Sequence, residues 1–213
     1  MKHFFYKIPI VVLVLLTAFN LSANDNYIKL NYGISTNSID ASASLGSITT
    51  DDEDQGFMLS GGTMIGDSWG IDLMYYDMGS SKVTVTKDDI IKVNNANFSV
   101  ATAGDINRDL SGAGAGFILA SDSGNEFLSL DYYLKLGLHA WDKEGSTTLL
   151  DNNSGFNSKY YNEGIGAYAG IGIGFNLLEN TSLNLSYDLI GMSSNGDFDN
   201  STNFLSAGIK VKF

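Results

Sequence analysis

The sequence predicts an all-β protein: an eight-stranded antiparallel up-and-down barrel that crosses a membrane with its strands. The last ten residues, FLSAGIKVKF, alternate apolar and polar side chains and end on the aromatic Phe213, the pattern of a strand with one lipid-facing side. Seven further stretches show the same period-two alternation. The chain also contains 24 Gly and only one Pro, a composition that suits many strands and few helices.

The first four strands differ in how clearly they alternate. The first, at about 26–37, has the apolar face Ile28, Leu30, Tyr32 and Ile34. The second, at about 55–65, sets Phe57 and Leu59 against Met58, Ser60 and Gly62. The third, at about 69–78, sets Trp69, Ile71, Leu73 and Tyr75 against Gly70, Asp72, Met74 and Tyr76. The fourth, at about 108–120, is the weakest, because its GAGAG core (112–116) shows no clear parity.

The last four strands are regular. The fifth, at about 126–141, has the apolar face Leu128, Leu130, Tyr132, Leu134, Leu136 and Leu138. The sixth, at about 161–176, sets Ala167, Ala169, Ile171, Ile173 and Phe175 against Gly166, Tyr168, Gly170, Gly172 and Gly174. The seventh, at about 181–190, has the apolar face Leu183, Leu185, Tyr187 and Leu189. The eighth sets Leu205, Ala207, Ile209, Val211 and Phe213 against Ser206, Gly208, Lys210 and Lys212.

The connections between these strands alternate in length. Tight turns follow the second, fourth and sixth strands, at 66–68, 121–125 and 178–180. Long polar stretches follow the first, third, fifth and seventh strands, at 38–54, 79–107, 142–160 and 191–201. This sorting is typical of membrane-spanning barrels and has no counterpart in a soluble sandwich. Residues 79–107 are the best candidate for contacting a partner, since exposed loops on a rigid scaffold usually carry binding. Their VTVT (83–86) and IIKV (90–93) segments could instead extend the hairpin above the membrane.

Alternation alone does not show which face meets lipid, because a soluble lipocalin-like barrel alternates in the opposite sense. An eight-stranded barrel is just wide enough for side chains to fill its interior. All the Leu, Ile, Tyr and Phe of the apolar faces would overfill it, whereas the opposite set of Gly, Ser, Asn and a few long polar residues fits. The inward glycines would also make room for Tyr76, Tyr133 or Tyr168. We therefore expect the apolar faces to point outward.

The N-terminus resembles an export signal, and residues 24–213 are expected to form a single barrel domain. Lys2, His3 and Lys7 precede an apolar run at 8–19, with a cleavage point expected after Ala23. The alternative, an uncleaved anchor helix, is disfavoured because the run is short of the roughly 20 residues that a spanning helix needs. The formal net charge of −12 becomes −14 once Lys2 and Lys7 are removed. Such acidity argues against nucleic acid as a partner.

Four stretches resemble the OmpA-type eight-stranded outer-membrane barrels: LSLDYYLKLGLHAWDKEG (128–145), 167–191, FLSAGIKVKF (204–213) and WGIDLMYYDMGSSKVTV (69–85). The resemblance implies a porin-like protein of the Gram-negative outer membrane. It also implies assembly by the outer-membrane insertion machinery, which recognises a C-terminal aromatic strand, here ending in Phe213. Longer members carry a peptidoglycan-binding periplasmic domain. None follows Phe213 in this sequence, so a wall-tethering role is not expected.

Seven charged residues fall on the inward faces: Lys29, Asp72, Asp131, Lys135, Asp188, Lys210 and Lys212. Buried charges must pair or cost several kcal/mol each, and this set is nearly balanced. The final strand must pair with the first to close a barrel, which brings Lys29, Lys210 and Lys212 beside one another across the seam. The set could form a gated ion path or a polar plug that fixes the strand register, and we favour the plug.

Other chemistry-bearing residues give weaker signals. His139 is the only histidine outside the signal; it lacks the nearby serine of a lipid-modifying site and is read as a polar lumen or rim residue. Asp51, Asp52, Glu53 and Asp54 form an acidic cluster without the spacing of a calcium loop. The glycine runs at 112–116 and 170–174 do not match nucleotide-binding motifs. We expect no enzyme activity, no cofactor and no metal site.

These observations predict a small outer-membrane barrel with a structural or surface-interaction role and a lumen plugged by polar side chains. Its long outer loops would contact lipopolysaccharide or a further partner, with the acidic cluster at residues 51–54 as a candidate cation-bridged contact. Outer-membrane lipids and the insertion machinery would be its other partners. The alternative is a narrow channel for small solutes or ions.

Overall fold

The structure is a computed structural model that describes residues 26–37, 41–45, 48–85, 90–93, 96–99, 104–121, 129–150, 155–194 and 197–213. Strands dominate these ranges. None of the described residues belongs to a helix with the length and apolarity required for a transmembrane span. The predicted export signal at 1–23 lies outside the described residues.

Twelve strands are present in the described ranges. They are β1 (Asn26–Asn37), β2 (Ala41–Leu45), β3 (Ile48–Asp51), β4 (Glu53–Met64), β5 (Trp69–Val85), β6 (Ile90–Val93), β7 (Ala96–Ser99), β8 (Gly104–Ala120), β9 (Leu130–Leu150), β10 (Gly155–Leu178), β11 (Thr181–Ser194) and β12 (Asp197–Lys212). Eight of them, β1, β4, β5 and β8 to β12, form the wall of a barrel. Among the rest, β3 pairs with the far end of β5, and β2, β6 and β7 form a separate small antiparallel sheet.

The wall is closed. Strand β1 pairs antiparallel with both β4 and β12, and β5 pairs with β8, so none of the eight strands has a free edge. Following directly paired residues once around the wall from Tyr27 leads back to β1 at Asn37, ten residues further along. This offset corresponds to a strand tilt of about 40° from the barrel axis. The predicted eight-stranded antiparallel barrel is confirmed.

The apolar faces point outward, as predicted. The exposed large apolar side chains include Leu30, Tyr32, Ile34, Trp69, Ile71, Phe117, Leu134, Leu136, Leu138, Ile171, Leu185, Leu205 and Ile209. On the opposite faces, polar residues such as Lys29, Asn31, Asp72, Lys135 and Asp188 are buried. In the fourth barrel strand, β8, Ala113 and Ala115 are exposed, whereas Gly112, Gly114 and Gly116 lie against inward side chains. The sequence did not show which residues of the GAGAG run face lipid; in the structure the alanines point outward and the glycines point inward.

Several strands are longer than predicted, and most of the extra length is at one end of the barrel. We call this the loop end; the end with the three short connections is the turn end. Strand β5 continues to Val85, β9 continues to Leu150, and β10 begins at Gly155. Much of the predicted loops 79–107 and 142–160 is thus paired strand. Beyond the lipid a strand needs no apolar face, so apolar alternation marks only the part of each strand that crosses the membrane.

A β-bulge marks where β5 leaves the apolar band. The pairing with β8 skips between Asp77 and Ser80, and Gly79 has a φ of +68°. The Gly79 N–H donates to Asp77 Oδ1 at 3.0 Å, and Asp54 Oδ2 accepts hydrogen bonds from Ser80 N at 2.6 Å and Ser80 Oγ at 3.1 Å. Partial burial acts to raise the pKa of Asp54, but the hydrogen bonds from Ser80 and Gln55 outweigh it and lower that pKa below its usual value. Asp54 therefore holds the bulge as a carboxylate.

Replacing Gly79 by Ala should destabilise the barrel. The positive φ costs a residue with a Cβ about 1–2 kcal/mol, and that Cβ would lie 2.5 Å from Asp54 Oδ2. Urea unfolding in detergent micelles measures the change. Gly174→Ala is the matched control, because a Cβ there meets nothing closer than 3.7 Å. Equal unfolding midpoints for the two variants would contradict the expected strain.

Candidate functional site: the barrel lumen

Large inward side chains lie across glycines of the neighbouring strand. On β10, Gly164, Gly166, Gly170, Gly172 and Gly174 are directly paired with Trp141, His139, Lys135, Tyr133 and Asp131 of β9. Tyr168 lies in the same way over Gly137 of β9 and Gly116 of β8, and Tyr76 lies over Gly112. In a lumen this narrow, each of these glycines provides the space that its large neighbour occupies.

A buried ion pair crosses the middle of the lumen. Lys135 Nζ lies 2.8 Å from Asp188 Oδ1, and both side chains are completely buried. Gly170 is paired with both residues and lies between them, so the lysine and the aspartate meet over a position without a side chain. Lys135 Nζ also lies 3.6 Å from the sulfur of Met58. This pair joins β9 to β11 across β10.

Asp72 is the second buried carboxylate of the central lumen. The Tyr27 hydroxyl donates to Asp72 Oδ2 at 2.5 Å, which links β1 to β5. Lys135 and Lys29 are the cations that interact electrostatically with Asp72. Two lysines and two aspartates therefore form one central charge cluster: Lys29, Lys135, Asp72 and Asp188.

The closing seam places two lysines directly opposite each other, Lys29 on β1 and Lys210 on β12. Like charges in this position repel, and the two side chains diverge. Lys29 Nζ donates to the Tyr133 hydroxyl at 3.2 Å and lies 4.3 Å from the ring centroid, while Lys210 Nζ lies 3.7 Å from Asp131 Oδ2. Lys212, further toward the turn end, is paired with Tyr27 and is partly exposed. The structure thus directs all seven of the predicted charged residues inward.

The loop-end half of the lumen contains buried polar residues such as Arg108 and His139, but also an apolar part that the sequence analysis missed. Its buried cluster consists of Met58, Met74, Tyr76, Met78, Leu110, Trp141, Tyr168, Ile190, Met192 and Phe204. We call this cluster the apolar seal. The available signal was that Met58, Met74 and Tyr76 fall on the otherwise polar faces of their strands. Leu110, Met192 and Phe204 could not be assigned, because they lie in or beside the stretches predicted as loops or as strands of unclear parity.

His139 is fixed between two neighbours inside the barrel. Its Nε2 lies 2.9 Å from the Gly191 carbonyl oxygen, and its Nδ1 lies 2.7 Å from the Tyr76 hydroxyl. The carbonyl can only accept, so Nε2 carries the proton and Nδ1 accepts from Tyr76. Both ring nitrogens are therefore engaged in hydrogen bonds within the protein. The side chain is almost completely buried, which matches the expected lumen position.

The four acidic residues at 51–54 do not converge on one point. Asp51 is paired with Lys82 across β3 and β5, Glu53 is exposed, and the carboxylate of Asp54 holds the β5 bulge. Within the described ranges, no three Asp, Glu or His side chains are close enough together to hold a metal ion. Phe213 is exposed on the outer wall, and its N–H donates to the Asn26 carbonyl at 2.9 Å.

A different group of acids lies on the outer wall just beyond the apolar band. Across adjacent strands, Asp109 is directly opposite Glu144, Asp142 is directly opposite Glu163, and Asp77 is separated from Asp142 by Ser111. We call these five residues the carboxylate belt. Burial, followed by the charges of Glu144, Asp77 and Asp54, raises the pKa of Asp109 above its usual value. A cation placed among the belt residues would relieve this repulsion.

A groove in the outer wall begins at the belt and extends into the apolar band. Its floor is the directly paired Ala113 and Ala140, and its sides include Tyr75 and Ile165. Asp142 and Glu163 lie at its loop-end rim. Tyr75 faces outward yet is only 4% exposed, whereas Tyr32 and Tyr132 are more than half exposed. The groove therefore combines an apolar floor with an acidic rim.

A family model for the outer membrane protein beta-barrel domain matches residues 10–213. The chain belongs to this family. It is therefore an outer-membrane β-barrel protein, which agrees with the resemblance found in the sequence. No curated protein matches the chain.

Two of the solved structures that are similar to this chain, Ail and OprG, have TM-scores above 0.5 and show the same fold at low sequence identity. Ail of Yersinia pestis, in complex with the heparin analogue sucrose octasulfate, is 17% identical with a TM-score of 0.52, over 90% of this chain and 99% of Ail. OprG of Pseudomonas aeruginosa is 14% identical with a TM-score of 0.52, over 90% of this chain and 97% of OprG. Neisserial surface protein A is 20% identical with a TM-score of 0.48, over 88% of this chain and 97% of that protein. These likenesses extend to the fold alone.

Replacing Asp188 by Asn should leave the buried charge of Lys135 without its partner. Breaking a buried pair from one side costs about 3–5 kcal/mol, whereas the double replacement Asp188→Leu with Lys135→Met should recover most of that loss. Urea unfolding in detergent micelles measures all three proteins. Asp105→Asn is the control, because it breaks the exposed 3.0 Å pair with Lys82, worth less than about 1 kcal/mol. An Asp188→Asn protein as stable as this control would show that the lumen pair is not needed.

Proposed function

We propose that this outer-membrane barrel is a closed, non-catalytic protein that stabilises the membrane and presents its loop end to surface partners. The apolar seal carries the proposal. It lies in the loop-end half of the lumen, and six of its members, Met58, Tyr76, Met78, Ile190, Phe204 and Met74, are 0–2% exposed. An apolar constriction of this kind excludes water and hydrated ions. The polar and charged groups of the other half are then a plug that fixes strand register.

The surroundings of His139 also support a non-catalytic role. A general base needs a nitrogen free to take a proton from a substrate. Both nitrogens of His139 are held by Tyr76 and by the Gly191 carbonyl, and the imidazole is walled in by the apolar seal. This histidine orders the lumen by joining β9 to β5 and β11.

The proposed orientation places the turn end in the periplasm and the loop end outside the cell. Short periplasmic turns and long external connections are the rule for such barrels. In this orientation residues 1–23 would be removed during export, and the insertion machinery would read the strand that ends at Phe213. The β9–β10 hairpin would then project beyond the apolar band from the Asp142–Glu163 pair to the Leu150–Gly155 pair, a rise of roughly 20 Å at this tilt. Such a hairpin is a rigid platform for a partner.

The carboxylate belt and its groove support a contact with lipopolysaccharide. The groove floor suits an acyl chain, and the rim acids Asp142 and Glu163 face the level of the lipid headgroups. The headgroup phosphates are anionic, so a divalent cation must lie between them and the belt. Divalent cations such as Mg²⁺ are bound through carboxylate and phosphate oxygens, and the lipid would supply the ligands that the protein lacks.

The carboxylate belt would disfavour the kind of ligand that is present in the Ail complex. The Ail complex contains a sulfated sugar, which is a polyanion. On the described outer wall of this chain, the belt presents carboxylates, with Lys159 3.6 Å from Glu144 as a nearby cation. A polyanion without a bridging cation would be repelled there. We therefore propose cation-dependent lipid contact at this face of the barrel.

The purified protein should show no ion conductance above background in planar bilayers. The apolar seal should close the lumen at any applied voltage that leaves the bilayer intact. A double variant, Met58→Ala with Phe204→Ala, removes two large side chains that are fully buried in the seal. The space that they leave should allow small conductance events. Steady conductance from the unmodified barrel would contradict the closed-lumen proposal and favour the alternative of a narrow channel.

Neutralising the rim acids should weaken lipopolysaccharide binding. With Mg²⁺ present, an Asp142→Asn and Glu163→Gln double variant should bind at least about tenfold more weakly than the unmodified protein, since two cation ligands are lost. Chelating Mg²⁺ should weaken the unmodified protein by a similar factor. The matched control is Asp67→Asn with Glu179→Gln, which makes the same charge change in two exposed turns. Binding that resists both chelation and the rim variant would refute a cation-bridged contact.

A further inference from the structure

The turn-end part of the lumen has polar groups that the plug does not use. Around the wall, Asp131, Gly174, Asn184, Gly208 and Asn31 are paired in one continuous row. The next row toward the turn end contains Asn176, Ser182, Lys210 and Lys29. We call the space bounded by these two rows the turn-end chamber.

Gly174 leaves space in this chamber. A Cβ on most inward glycines would collide with a neighbouring side chain or carbonyl, at 3.0 Å or closer. A Cβ on Gly174 would instead meet Asp131 Cβ at 3.7 Å and Ser182 Oγ at 3.9 Å, which are ordinary contact distances. Asp131 and Asn184, the two direct neighbours of Gly174, both have small side chains. The lumen is thus less tightly filled here than at Gly170 or Gly172.

Three buried side chains of the chamber rows have hydrogen-bonding atoms without a partner in the protein: Asn31 has its Oδ1, and Ser182 and Asn184 have the others. Ser182 Oγ and both amide atoms of Asn184 are unpaired, although each residue is only 2% exposed. Both residues belong to β11, where their side chains alternate inward past Leu183. Buried polar groups are nearly always satisfied, so these atoms indicate a ligand or ordered water in the space beside Gly174.

The charge of the chamber selects an anion. Lys29 lies directly opposite Lys210 across the seam, Lys212 lies two residues further along β12, and Asp131 Oδ2 is 3.7 Å from Lys210 Nζ. Three lysines therefore lie near this one carboxylate. The Lys210 side chain is 17% exposed and Lys212 is partly exposed, whereas Lys135 deeper in the lumen is fully buried. A small anion could therefore enter from the turn end and reach these two ammonium groups.

We propose that the turn-end chamber binds a small oxyanion of the phosphate or phosphomonoester class. Lys210 and Lys212 provide the positive charge, and Ser182 Oγ and Asn184 Nδ2 are the neutral donors. The space beside Gly174 accepts the oxyanion, and Asp131 keeps Lys210 directed toward it. The binding requires only that the turn end is open to solvent, so it is independent of the closed seal and of lipopolysaccharide contact.

The test is a titration of the folded protein with inorganic phosphate in zwitterionic detergent, followed by ³¹P line broadening. Chloride at matched ionic strength separates binding from general screening. The unmodified protein should broaden the phosphate signal saturably. Lys210→Met should weaken the binding about tenfold or more, as expected for the loss of a charge-assisted hydrogen bond. Methyl phosphate should compete if phosphomonoesters are accepted, and its failure to compete would restrict the site to free phosphate.

Two further variants keep the result interpretable. Gly174→Leu should block the chamber without changing its charge, and Ser182→Ala should weaken binding while leaving the space intact. Lys159→Met is the control, because Lys159 is an exposed lysine outside the lumen. Heat-modifiable gel mobility confirms that each variant is folded, and Ser182→Ala serves if Gly174→Leu fails to fold. Absence of saturable binding by the unmodified protein, or binding that survives both Lys210→Met and Ser182→Ala, would overturn the proposal.

Discussion

The narrowness of the lumen is the constraint on which the rest of this structure depends. Eight strands leave an interior just wide enough for side chains to fill, and many of the large inward residues lie beside a glycine of the neighbouring strand. The ladder of glycines on β10 provides this space for the large inward residues of β9 between Asp131 and Trp141. Because Gly170 has no side chain, Lys135 and Asp188 can form an ion pair from strands that are not adjacent. The glycines of β10 therefore determine which lumen residues can touch.

Strand number, strand order and the lipid-facing surface follow from alternation in the sequence, because lipid requires an apolar side chain at every outward position in the apolar band. Strand ends do not follow from it. Beyond the apolar band this requirement no longer applies. A strand continues there as long as a neighbouring strand pairs with it, as the extension of β9 to Leu150 shows. The orientation of the GAGAG run in β8 also does not follow from the sequence, since Ala and Gly differ too little in polarity to show which one faces lipid.

The seven lumen charges could be found from parity, but their partners could not. Pairing across the lumen depends on the shear, which adds a ten-residue offset around the barrel that local sequence patterns do not encode. Lys135 could have met Asp72 or Asp131 under another shear. The apolar seal was missed for a related reason: methionine on a polar face looks like an exception on any single strand. It becomes a cluster only when Met58, Met74 and Met192 from three strands meet inside.

The seam between β1 and β12 shows how the filling of the lumen and the closure of the wall depend on each other. Closure places Lys29 directly opposite Lys210, which by itself opposes the pairing of these two strands. The groups that draw the lysines apart, Tyr133 and Asp131, both belong to β9 on the far side of the lumen. The presence of β9 in the wall therefore favours the pairing of the first and last strands. Residues near the middle of the chain thus make the closing of its two ends favourable.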